Sequence, residues 1–312
     1  MTNMQQIINT DIVITSNEAS EALGFKIANE MGTEFTKVIK KHFNDGEVYH
    51  AFPERIAGKD IVIVGSSHSD ESQQELIDLI DGCHFLRARS VNVVIPYLGY
   101  STMEQSKPGS NEIPKGITRT RQLFRARPNF VAFIDLHSES VLHAHGGNVH
   151  TQHIHTNELI VQKIKELHLE NYVLVSPDYG RSKWVARLAG LLDVPHTAAD
   201  KDRFAMDKTM VGQVASVVKG KIAIICDDMI RTGGSIIQTA ERCREAGAVD
   251  TILYATHLVM AGDSRKKFKN HGINKIIGAD TYPGCATDDL LEVYSVAPLV
   301  AKVLNRQLKI RT

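Results

Sequence analysis

The chain has 312 residues, enough for two compact domains of about 150 residues each. Hydrophobic residues make up 43% of the sequence and charged residues 23%, a composition typical of a protein with sizeable cores. Lys plus Arg and Asp plus Glu each total 36, and this neutral balance argues against a nucleic-acid-binding protein, which would carry a basic excess.

Two further features concern the location of the protein. No apolar run reaches the roughly 18 residues of a membrane-spanning helix, and the first residues lack the basic and apolar segments of a secretory signal. The four cysteines are widely spaced and form no CxxC pair, which is typical of reduced thiols. We therefore expect a cytoplasmic protein with no membrane partner.

Six short apolar runs rich in β-branched residues recur along the chain. They lack alternation with polar residues, and this pattern predicts strands buried on both faces of a parallel sheet. The runs are Ile61 to Val64, Val91 to Ile95, Val131 to Ile134, Tyr172 to Val175, Ile222 to Ile225 and Ile252 to Ala255.

Helical segments separate these runs. A helix capped by Ser72 is expected between the first two runs. Further helices are expected at Gly180 to Leu191 and at Gly234 to Ala246, the latter ended by Gly247. The prolines, glycines and cations of Glu104 to Arg127 favour a mobile loop over part of that segment.

This alternation of strands and helices predicts an α/β fold with doubly wound sheets. A break near residue 150 divides the chain into two halves with a similar alternation of strands and helices. We therefore expect two tandem domains, residues 1–150 and residues 151–312, each a mostly parallel sheet flanked by helices.

The most specific segment of the sequence is Ile222 to Ile237, which reads IAIICDDMIRTGGSII. A buried strand ends in the paired carboxylates of Asp227 and Asp228, and a small-residue loop and a helix follow. In α/β sheets ligands bind beyond the carboxyl ends of strands, and glycines and a helix N-terminus together suit a phosphate. The carboxylates suit sugar hydroxyl groups or a magnesium ion. The segment thus predicts a ribose phosphate site, and the alternative is an acidic turn at an unrelated strand end.

The segment resembles the phosphoribosyl-pyrophosphate loop of the type I phosphoribosyltransferase fold. The resemblance extends over nearly the whole chain to one family, the ribose-phosphate pyrophosphokinases (PRPP synthetases). The matching stretches, in the family's order and spacing, are Phe43 to Glu47, Ile95 to Tyr100, Asp135 to His137, Val175 to Asp178, Lys201 to Arg203, Thr256-His257 and Ser295 to Leu299.

Several expectations follow from this resemblance. The family carries two phosphoribosyltransferase-like domains, so the first half is expected to serve the nucleotide and the second to hold the ribose 5-phosphate loop. The family transfers the β,γ-diphosphoryl group of ATP to the 1-hydroxyl group of ribose 5-phosphate and releases AMP. The resemblance also implies Mg²⁺ as the cofactor and a homo-oligomer, because the family's nucleotide site is shared between subunits.

The resemblance also assigns catalytic and metal-binding roles. Lys201 and Arg203 match the family's catalytic Lys-x-Arg pair, where two cations suit the negative charge that develops on the transferring phosphorus oxygens. His137 matches a magnesium-contacting histidine, although Mg²⁺ prefers oxygen ligands. Asp178 matches a carboxylate beside the metal and the ribose, and a strand-end aspartate is also a common helix cap.

The substrate-binding residues follow from the same resemblance. Phe43, Asp45 and Glu47 match residues of the ATP site, where an aromatic ring can stack on adenine. Without the resemblance, this stretch would be interpreted as a hairpin turn. The ribose 5-phosphate site is expected to comprise Asp227, Asp228, Arg231, Thr232, Gly233, Gly234 and Ser235.

Three stretches depart from the family pattern and indicate a divergent member. Where the family has Ala-Arg-Gln-Asp, this chain has Ser101 to Glu104, so a guanidinium and an amide that hold the nucleotide are missing. The second departure is a histidine-rich run from His137 to His155, which is either a reshaped acceptor or metal pocket or a loop with ordinary surface histidines. Its histidines are His137, His143, His145, His150, His153 and His155. The loop Thr232 to Ser235 is closer to that of the transferases, and Arg231 adds a charge. Cations that could replace the missing arginine are Lys107, Arg119 and Arg121.

These departures leave three alternatives open. The acceptor could be a larger molecule that ends in a 5-phosphoribosyl group, such as ADP-ribose. The chain could instead be a catalytically silent regulatory paralogue of PRPP synthetase. A phosphoribosyltransferase that consumes the diphosphate donor is the third alternative.

Overall fold

The computed structural model describes residues 11–144, 146–147, 149–198 and 216–309. The expected catalytic pair, Lys201 and Arg203, lies outside these residues. The chain forms two compact units, the first comprising the described residues up to His155 with Thr281–Pro283 and those from Ser295 onward. The second comprises Thr156–Asp280 and Gly284–Tyr294. Residues 151–312 were predicted to form one domain, whereas the described residues after Tyr294 group with the first unit.

The first unit is built on a parallel sheet flanked by helices. Its strands are β1 (Ile12–Ser16), β4 (Asp60–Val64), β5 (Ser90–Ile95), β6 (Phe130–Ile134) and β7 (His150–Ile154), hydrogen-bonded in that order. Its helices are α1 (Glu21–Met31), α2 (Asp70–Phe85), α3 (Lys115–Arg125) and α8 (Ala297–Lys309). A separate antiparallel hairpin joins β2 (Ile39–His42) to β3 (Val48–Ala51).

The second unit repeats this arrangement with a longer sheet. Its strands are β8 (Tyr172–Ser176), β9 (His196–Ala198), β10 (Ile222–Ile230), β11 (Asp250–Leu258), β12 (Ile276–Ala279) and β13 (Leu291–Tyr294). They are parallel, and their order is β13-β12-β11-β10-β8-β9. Its helices are α4 (Asn157–Lys165), α5 (Tyr179–Leu192), α6 (Gly234–Glu245) and α7 (Ser264–Asn270).

The predicted α/β fold with mostly parallel sheets is confirmed, and all six predicted strands are present. Every residue of β4, β5 and β6 is buried, which explains why these strands lack polar alternation. The four cysteines are unpaired, as expected. Among the described residues, no helix combines the length and the apolar character that crossing a membrane would require.

One local prediction was wrong. Ser69, not Ser72, is the N-cap of α2, because the Ser69 side chain accepts a hydrogen bond from the backbone N–H of Ser72 at 3.1 Å. The Ser72 hydroxyl instead donates to the carbonyl of Ser66 at 2.5 Å in the protein interior. The segment Glu104 to Arg127, predicted to be a loop over part of its length, is irregular up to Pro114 and helical from Lys115, where Leu123 and Phe124 of α3 join the core of the first unit.

Candidate active site

The paired carboxylates lie near the carboxyl end of β10, a central strand of the second unit's sheet. Asp227 and Asp228 are within β10, which continues to Ile230 instead of ending in the carboxylates as predicted. The neighbouring strand β8 pairs only with Ile222 to Ile225, whereas β11 continues alongside β10 and places Ala255 opposite Asp227. The carboxylates therefore lie beyond the end of β8, at the carboxyl edge where α/β sheets bind ligands.

One cation faces this pair. Arg181, in the first turn of α5, places its Nη2 atom 2.5 Å from Oδ2 of Asp228 and its Nε atom 4.0 Å from Oδ1 of Asp227. The side chain of Asp228 is 7% exposed and that of Arg181 18% exposed. Because little water screens the interaction, the pair is stronger than a surface ion pair. Arg181 was not among the predicted site residues, and its spacing of three residues from Asp178 is a signal that could have drawn attention to it.

The electrostatics of Asp227 differ from those of an ordinary aspartate. Burial raises the pKa of Asp227 well above its usual value, and the negative charge of Asp228 adds to the rise. The backbone N–H of Asp228 donates to Oδ1 of Asp227 at 2.8 Å, which opposes the rise, as does Arg181. Asp227 therefore keeps its proton to a higher pH than an ordinary aspartate, and in that form it can donate a hydrogen bond as well as accept one.

The loop after β10 leads directly into α6. Gly233 is the N-cap residue with φ of 79°, and a Cβ atom there would collide with the ring of Phe268, so glycine is required on both counts. In the part of the chain that the structure describes, no side chain caps α6, and its first turn has no acidic residue. A Cβ atom on Gly234 would meet nothing within 4 Å, so the approach is open. An uncapped helix N-terminus of this kind suits an anion.

The remaining loop residues surround this helix end. Arg231, Thr232 and Ser235 are exposed, whereas Gly233 is buried. Backbone hydrogen bonds from Met260 to the carbonyl of Ile230 and from Ala261 to that of Arg231, both 2.9 Å, fix the start of the loop. The seven residues predicted for ribose 5-phosphate thus lie on one continuous segment that runs from the end of β10 through the turn into α6.

Asp178 lies just after β8 and caps α5. Its Oδ1 atom accepts a hydrogen bond from the backbone N–H of Arg181 at 3.0 Å. The residue is exposed, and no described residue bonds to its second carboxylate oxygen. Asp178 therefore fills the helix-cap role and still offers one oxygen to a metal ion or a ligand.

The histidine-rich run belongs to the first unit. The half-buried His137 follows β6, and close by His153 accepts a hydrogen bond from the backbone N–H of Leu136 at 2.8 Å through Nε2. The other ring nitrogen of His153 lies 2.8 Å from a carboxylate oxygen of Glu139, and this contact lowers the pKa of Glu139. The ring of His153 also lies 3.9 Å from that of His155, measured between centroids.

These contacts bear on the two interpretations of the run. Asp135, His153 and His155 each offer a ligand atom within 4.8 Å of the others, which is a spacing that a metal ion could bridge. The side chain of His153 is only 9% exposed, so it is not an ordinary surface histidine, whereas His150 is exposed. The run is therefore partly an ordered polar cluster and partly surface.

Phe43, Asp45 and Glu47 form the turn of the β2-β3 hairpin. The backbone N–H of Phe43 donates to the carbonyl of Glu47 at 2.9 Å, and Oδ1 of Asp45 accepts from the N–H of Glu47 at 3.1 Å. All three residues are exposed, and Phe43 is 53% exposed. The turn geometry is that of a simple hairpin, and it leaves the ring of Phe43 available for contact.

The segment that replaces the family's Ala-Arg-Gln-Asp is anchored to α3. The N–H of Gly116 donates to the carbonyl of Met103 at 2.9 Å. Of the cations that could replace the missing arginine, Arg119 pairs with Asp70 at 2.8 Å and Lys107 with Glu112 at 3.4 Å. These two cations are thus engaged with carboxylates of the first unit.

Comparisons with known proteins identify the family. A model of the N-terminal domain of ribose phosphate pyrophosphokinase matches residues 12–115, and a phosphoribosyl transferase domain model matches residues 145–283. The ribose-phosphate pyrophosphokinase of Methanosarcina acetivorans is 30% identical, covering 94% of this chain and 99% of its own length. The chloroplastic ribose-phosphate pyrophosphokinase 2 of Spinacia oleracea is 30% identical, covering 96% of this chain and 76% of its own length.

A solved structure gives the same result. The crystal structure of phosphoribosylpyrophosphate synthetase from Mycobacterium smegmatis superposes with a TM-score of 0.84 at 26% identity. The match covers 96% of this chain and 99% of that one. Together, these matches show that the chain belongs to the ribose-phosphate pyrophosphokinase family.

Proposed function

We propose that this chain is a ribose-phosphate diphosphokinase that transfers the β,γ-diphosphoryl group of ATP to the 1-hydroxyl group of ribose 5-phosphate, giving PRPP and AMP. The observation that carries the proposal is the pair Asp227-Asp228 directly before the uncapped N-terminus of α6. It occurs in a chain that is similar over 94% of its length to a ribose-phosphate pyrophosphokinase.

The acceptor would be held at both of its ends. The first N–H groups of α6 and the hydroxyl groups of Thr232 and Ser235 suit the 5-phosphate, because the helix end carries partial positive charge. Asp227 and Asp228 suit the 2- and 3-hydroxyl groups of the ribose. Held in this way, the 1-hydroxyl oxygen attacks the β-phosphorus, the bond from that phosphorus to the α,β-bridging oxygen breaks, and the hydroxyl proton is released as AMP leaves.

Lys201 and Arg203 are proposed to stabilise the reaction itself. Negative charge builds on the oxygens of the transferring group, and two cations beside it lower the barrier without covalent chemistry. The support is their match to the family's Lys-x-Arg pair, since both residues lie outside the described part of the chain.

The nucleotide site is proposed to include Phe43, Asp45 and Glu47 and to be completed by a second copy of the chain. Four large hydrophobic side chains on this one hairpin are 40–53% exposed: Ile39, Phe43, Val48 and Tyr49. An exposed apolar group of this kind marks a contact surface. A homo-oligomer in which the hairpin contacts a partner would bury these side chains and bring the aromatic ring to an adenine.

Mg²⁺ is the proposed cofactor, and the candidate ligands from the family resemblance are Asp178 of the second unit and His137 of the first. The exposed second oxygen of Asp178 is the ligand type that Mg²⁺ prefers, whereas the imidazole of His137 fits it less well. When bound, Mg²⁺ would neutralise charge on the phosphate groups of ATP. Asp178 itself would keep its helix-capping bond through Oδ1 and present only Oδ2. A cytoplasmic location is proposed with this activity, supported by the unpaired thiols.

A larger acceptor is the second candidate, and Arg231 is the residue that favours it. This exposed cation at the start of the loop could contact the second phosphate of ADP-ribose, whose distal ribose also ends in a 5-phosphate ester.

One assay distinguishes these functions. The protein is incubated with ATP, Mg²⁺ and either ribose 5-phosphate or ADP-ribose, and AMP is followed by chromatography. We expect AMP to form with ribose 5-phosphate. Formation of AMP with ADP-ribose alone would indicate the larger acceptor, and no AMP with either acceptor would favour the regulatory paralogue. Lys201→Ala should abolish turnover, and the matched control Lys302→Ala, at an exposed position of α8, should leave it unchanged.

A further inference from the structure

The hairpin of β2 and β3 makes few apolar contacts along its strands. Its ends are anchored by Val38 and Phe52, which pack in the core of the first unit. Within the strands, the larger apolar side chains of Ile39, Val48 and Tyr49 are 40–45% exposed. An isolated pair of strands is marginally stable at best, so the position of this hairpin depends on its polar contacts with the rest of the first unit.

Lys40 and His50 face the first unit from the two strands of the hairpin. They are partners in the register of the hairpin, and each side chain is only 14% exposed. Nζ of Lys40 lies 2.8 Å from Oε2 of Glu18, which follows β1, and 3.1 Å from Oε2 of Glu75 in α2. A third carboxylate, that of Glu71, lies 3.8 Å from the same nitrogen. One lysine thus joins the hairpin to the end of β1 and to α2.

Glu75 is the most buried member of this cluster, with a side chain that is 6% exposed. Its Oε1 atom accepts a hydrogen bond from the backbone N–H of Glu18 at 3.0 Å, and its Oε2 atom accepts one from Lys40. Nε2 of His50 is 3.9 Å from Oε1 and has no hydrogen-bond partner among the described residues, so it adds no hydrogen bond to the carboxylate. The buried charge of Glu75 therefore depends on Lys40, and removing one partner of a buried ion pair is costly.

The contact between the hairpin and the first unit is made by charges instead of close packing. A cavity of about 230 Å³ lies beside Lys40, and its lining includes Glu18 and Glu75. Burial lowers the pKa of Lys40, but the hydrogen bonds to Glu18 and Glu75 outweigh burial and raise the pKa overall. The ammonium group therefore stays charged, and its ion pairs hold β2 where apolar side chains leave the space unfilled.

A second lysine beside the hairpin provides a contrast. Lys37 pairs with Glu21 at 2.8 Å, but these two side chains are 70% and 39% exposed. Water and salt screen an exposed pair of this kind, so it contributes little to the position of the hairpin.

We propose that Lys40 and Glu75 are positioning residues for the nucleotide site. Their buried ion pair fixes the direction in which the hairpin presents Phe43, Asp45 and Glu47, and neither member of the pair contacts ATP itself. The inference rests on the proposed nucleotide-binding role of this turn. The turn has its own backbone hydrogen bond from Phe43 to Glu47, so loss of the ion pair changes the orientation of the turn and not its shape.

The test measures the ATP dependence of turnover at saturating ribose 5-phosphate and Mg²⁺ for Lys40→Met and for the matched control Lys37→Met. Lys40→Met should raise the KM for ATP about tenfold or more, because displaced binding residues lose their contacts with the nucleotide. Its kcat should stay within about twofold, since the proposed catalytic residues are not on the hairpin. Lys37→Met should change neither constant, and Lys40→Arg, which keeps a cation, should recover most of the lost affinity.

A merely structural role of Lys40 gives a different result. Partial unfolding lowers the fraction of active enzyme, so it would reduce kcat and leave the KM for ATP unchanged, and that outcome would overturn the proposal. Glu75→Gln is the milder variant, because it keeps an acceptor for the N–H of Glu18 and leaves Lys40 paired with the Glu18 carboxylate. It should raise the KM for ATP in the same direction by a smaller factor.

Amide hydrogen exchange separates this inference from the proposed function. Lys40→Met should speed exchange in β2 and β3 and leave β4 and β5 unchanged. Unchanged exchange in β2 and β3 would overturn the role of the ion pair, whatever the activity of the chain. Faster exchange there with an unchanged KM for ATP, or with an unchanged dissociation constant from calorimetry if no AMP forms, would contradict the nucleotide-binding role of the hairpin instead.

Discussion

Asp228 carries its charge in a place where only 7% of its side chain meets solvent. Without Arg181, Asp228 would lose this ion pair while its neighbour in the strand is a second carboxyl group, that of Asp227. The arginine therefore stabilises the free protein at the point where sugar hydroxyl groups are proposed to bind. An acceptor that binds there would share the carboxylates with Arg181, so we propose that Arg181 contributes to the acceptor site as well as to the fold.

Replacing Arg181 tests this interpretation. Arg181→Gln should lower the free energy of unfolding by about 3 kcal/mol, the lower end for breaking a buried ion pair, because both side chains keep some exposure. The double variant R181Q/D228N should recover part of this loss, because the unpaired charge is then absent. Urea unfolding of the unmodified chain, R181Q, D228N and R181Q/D228N measures the coupling energy between Arg181 and Asp228. Additive effects of the two substitutions would contradict the interpretation.

Asp227 gives a pH-dependent prediction. Its pKa is raised in the folded state, so the folded chain binds more protons than the unfolded chain between the usual aspartate pKa of about 3.9 and the raised value. Stability contributed by this group is complete below the usual pKa and falls as pH rises through the raised one. Asp227→Asn removes this loss, so it should raise the melting temperature at pH 8 and have little effect near pH 4. The matched variant Asp228→Asn, which loses the Arg181 pair, should not show that gain, and an equal gain in both would contradict the assignment.

Single residues show clearly what the sequence could predict. The residues from Asp227 to Ser235 were predicted because they are contiguous, so a local motif contains their chemistry. Arg181 was missed because it meets Asp228 only after β8 and β10 pair side by side, and that pairing brings together residues 47 positions apart.

At the level of elements, β10 is longer than its apolar run indicates. The sequence Asp227-Asp228 favours a turn, yet the ladder with β11 continues to Ile230. Tertiary pairing overrides local preference here, because β11 is itself buried along nearly its whole length. The same reason applies to α3, where two core side chains, Leu123 and Phe124, outweigh the prolines and glycines that precede them.

The turn into α6 gives a test at this scale. Gly233→Ala must accommodate both a positive φ and the ring of Phe268, whereas the matched control Gly262→Ala meets only a positive φ of 61° with nothing within 4 Å. We expect the control to cost about 1 kcal/mol of unfolding free energy. Gly233→Ala should cost about 1–3 kcal/mol more, since a tight contact forces the helix end to move. Denaturant unfolding compares the two.

The same pair of variants has a functional outcome. The first N–H groups of α6 are proposed to hold the 5-phosphate. Gly233→Ala should therefore also weaken the binding of ribose 5-phosphate, measured by direct titration, and Gly262→Ala should not. Equal stability and equal ribose 5-phosphate affinity in the two variants would contradict the assigned role of the turn.

For the whole molecule, the repeated βα rhythm predicted two parallel sheets, and both are present. The path of the chain was not predictable, because periodicity reports which face of an element is buried but not which unit it joins. The residues after Tyr294 follow the second sheet in sequence, yet α8 packs against α1 of the first unit. The buried residues that α8 contributes are Ala297, Val300, Ala301, Leu304 and Leu308.

The packing of α8 on the first unit predicts which unit a destabilising substitution in α8 will affect. Leu304 is fully buried, so Leu304→Ala should lower the free energy of unfolding by about 2–5 kcal/mol. The first unit should be the one that is destabilised. Amide hydrogen exchange should speed up in α1 and β1 and stay unchanged in β8 and β10. Leu188→Ala, at an equally buried position of α5 in the second unit, is the matched control and should show the reverse pattern. Faster exchange in β8 and β10 of Leu304→Ala would instead place α8 with the half of the chain that precedes it in sequence.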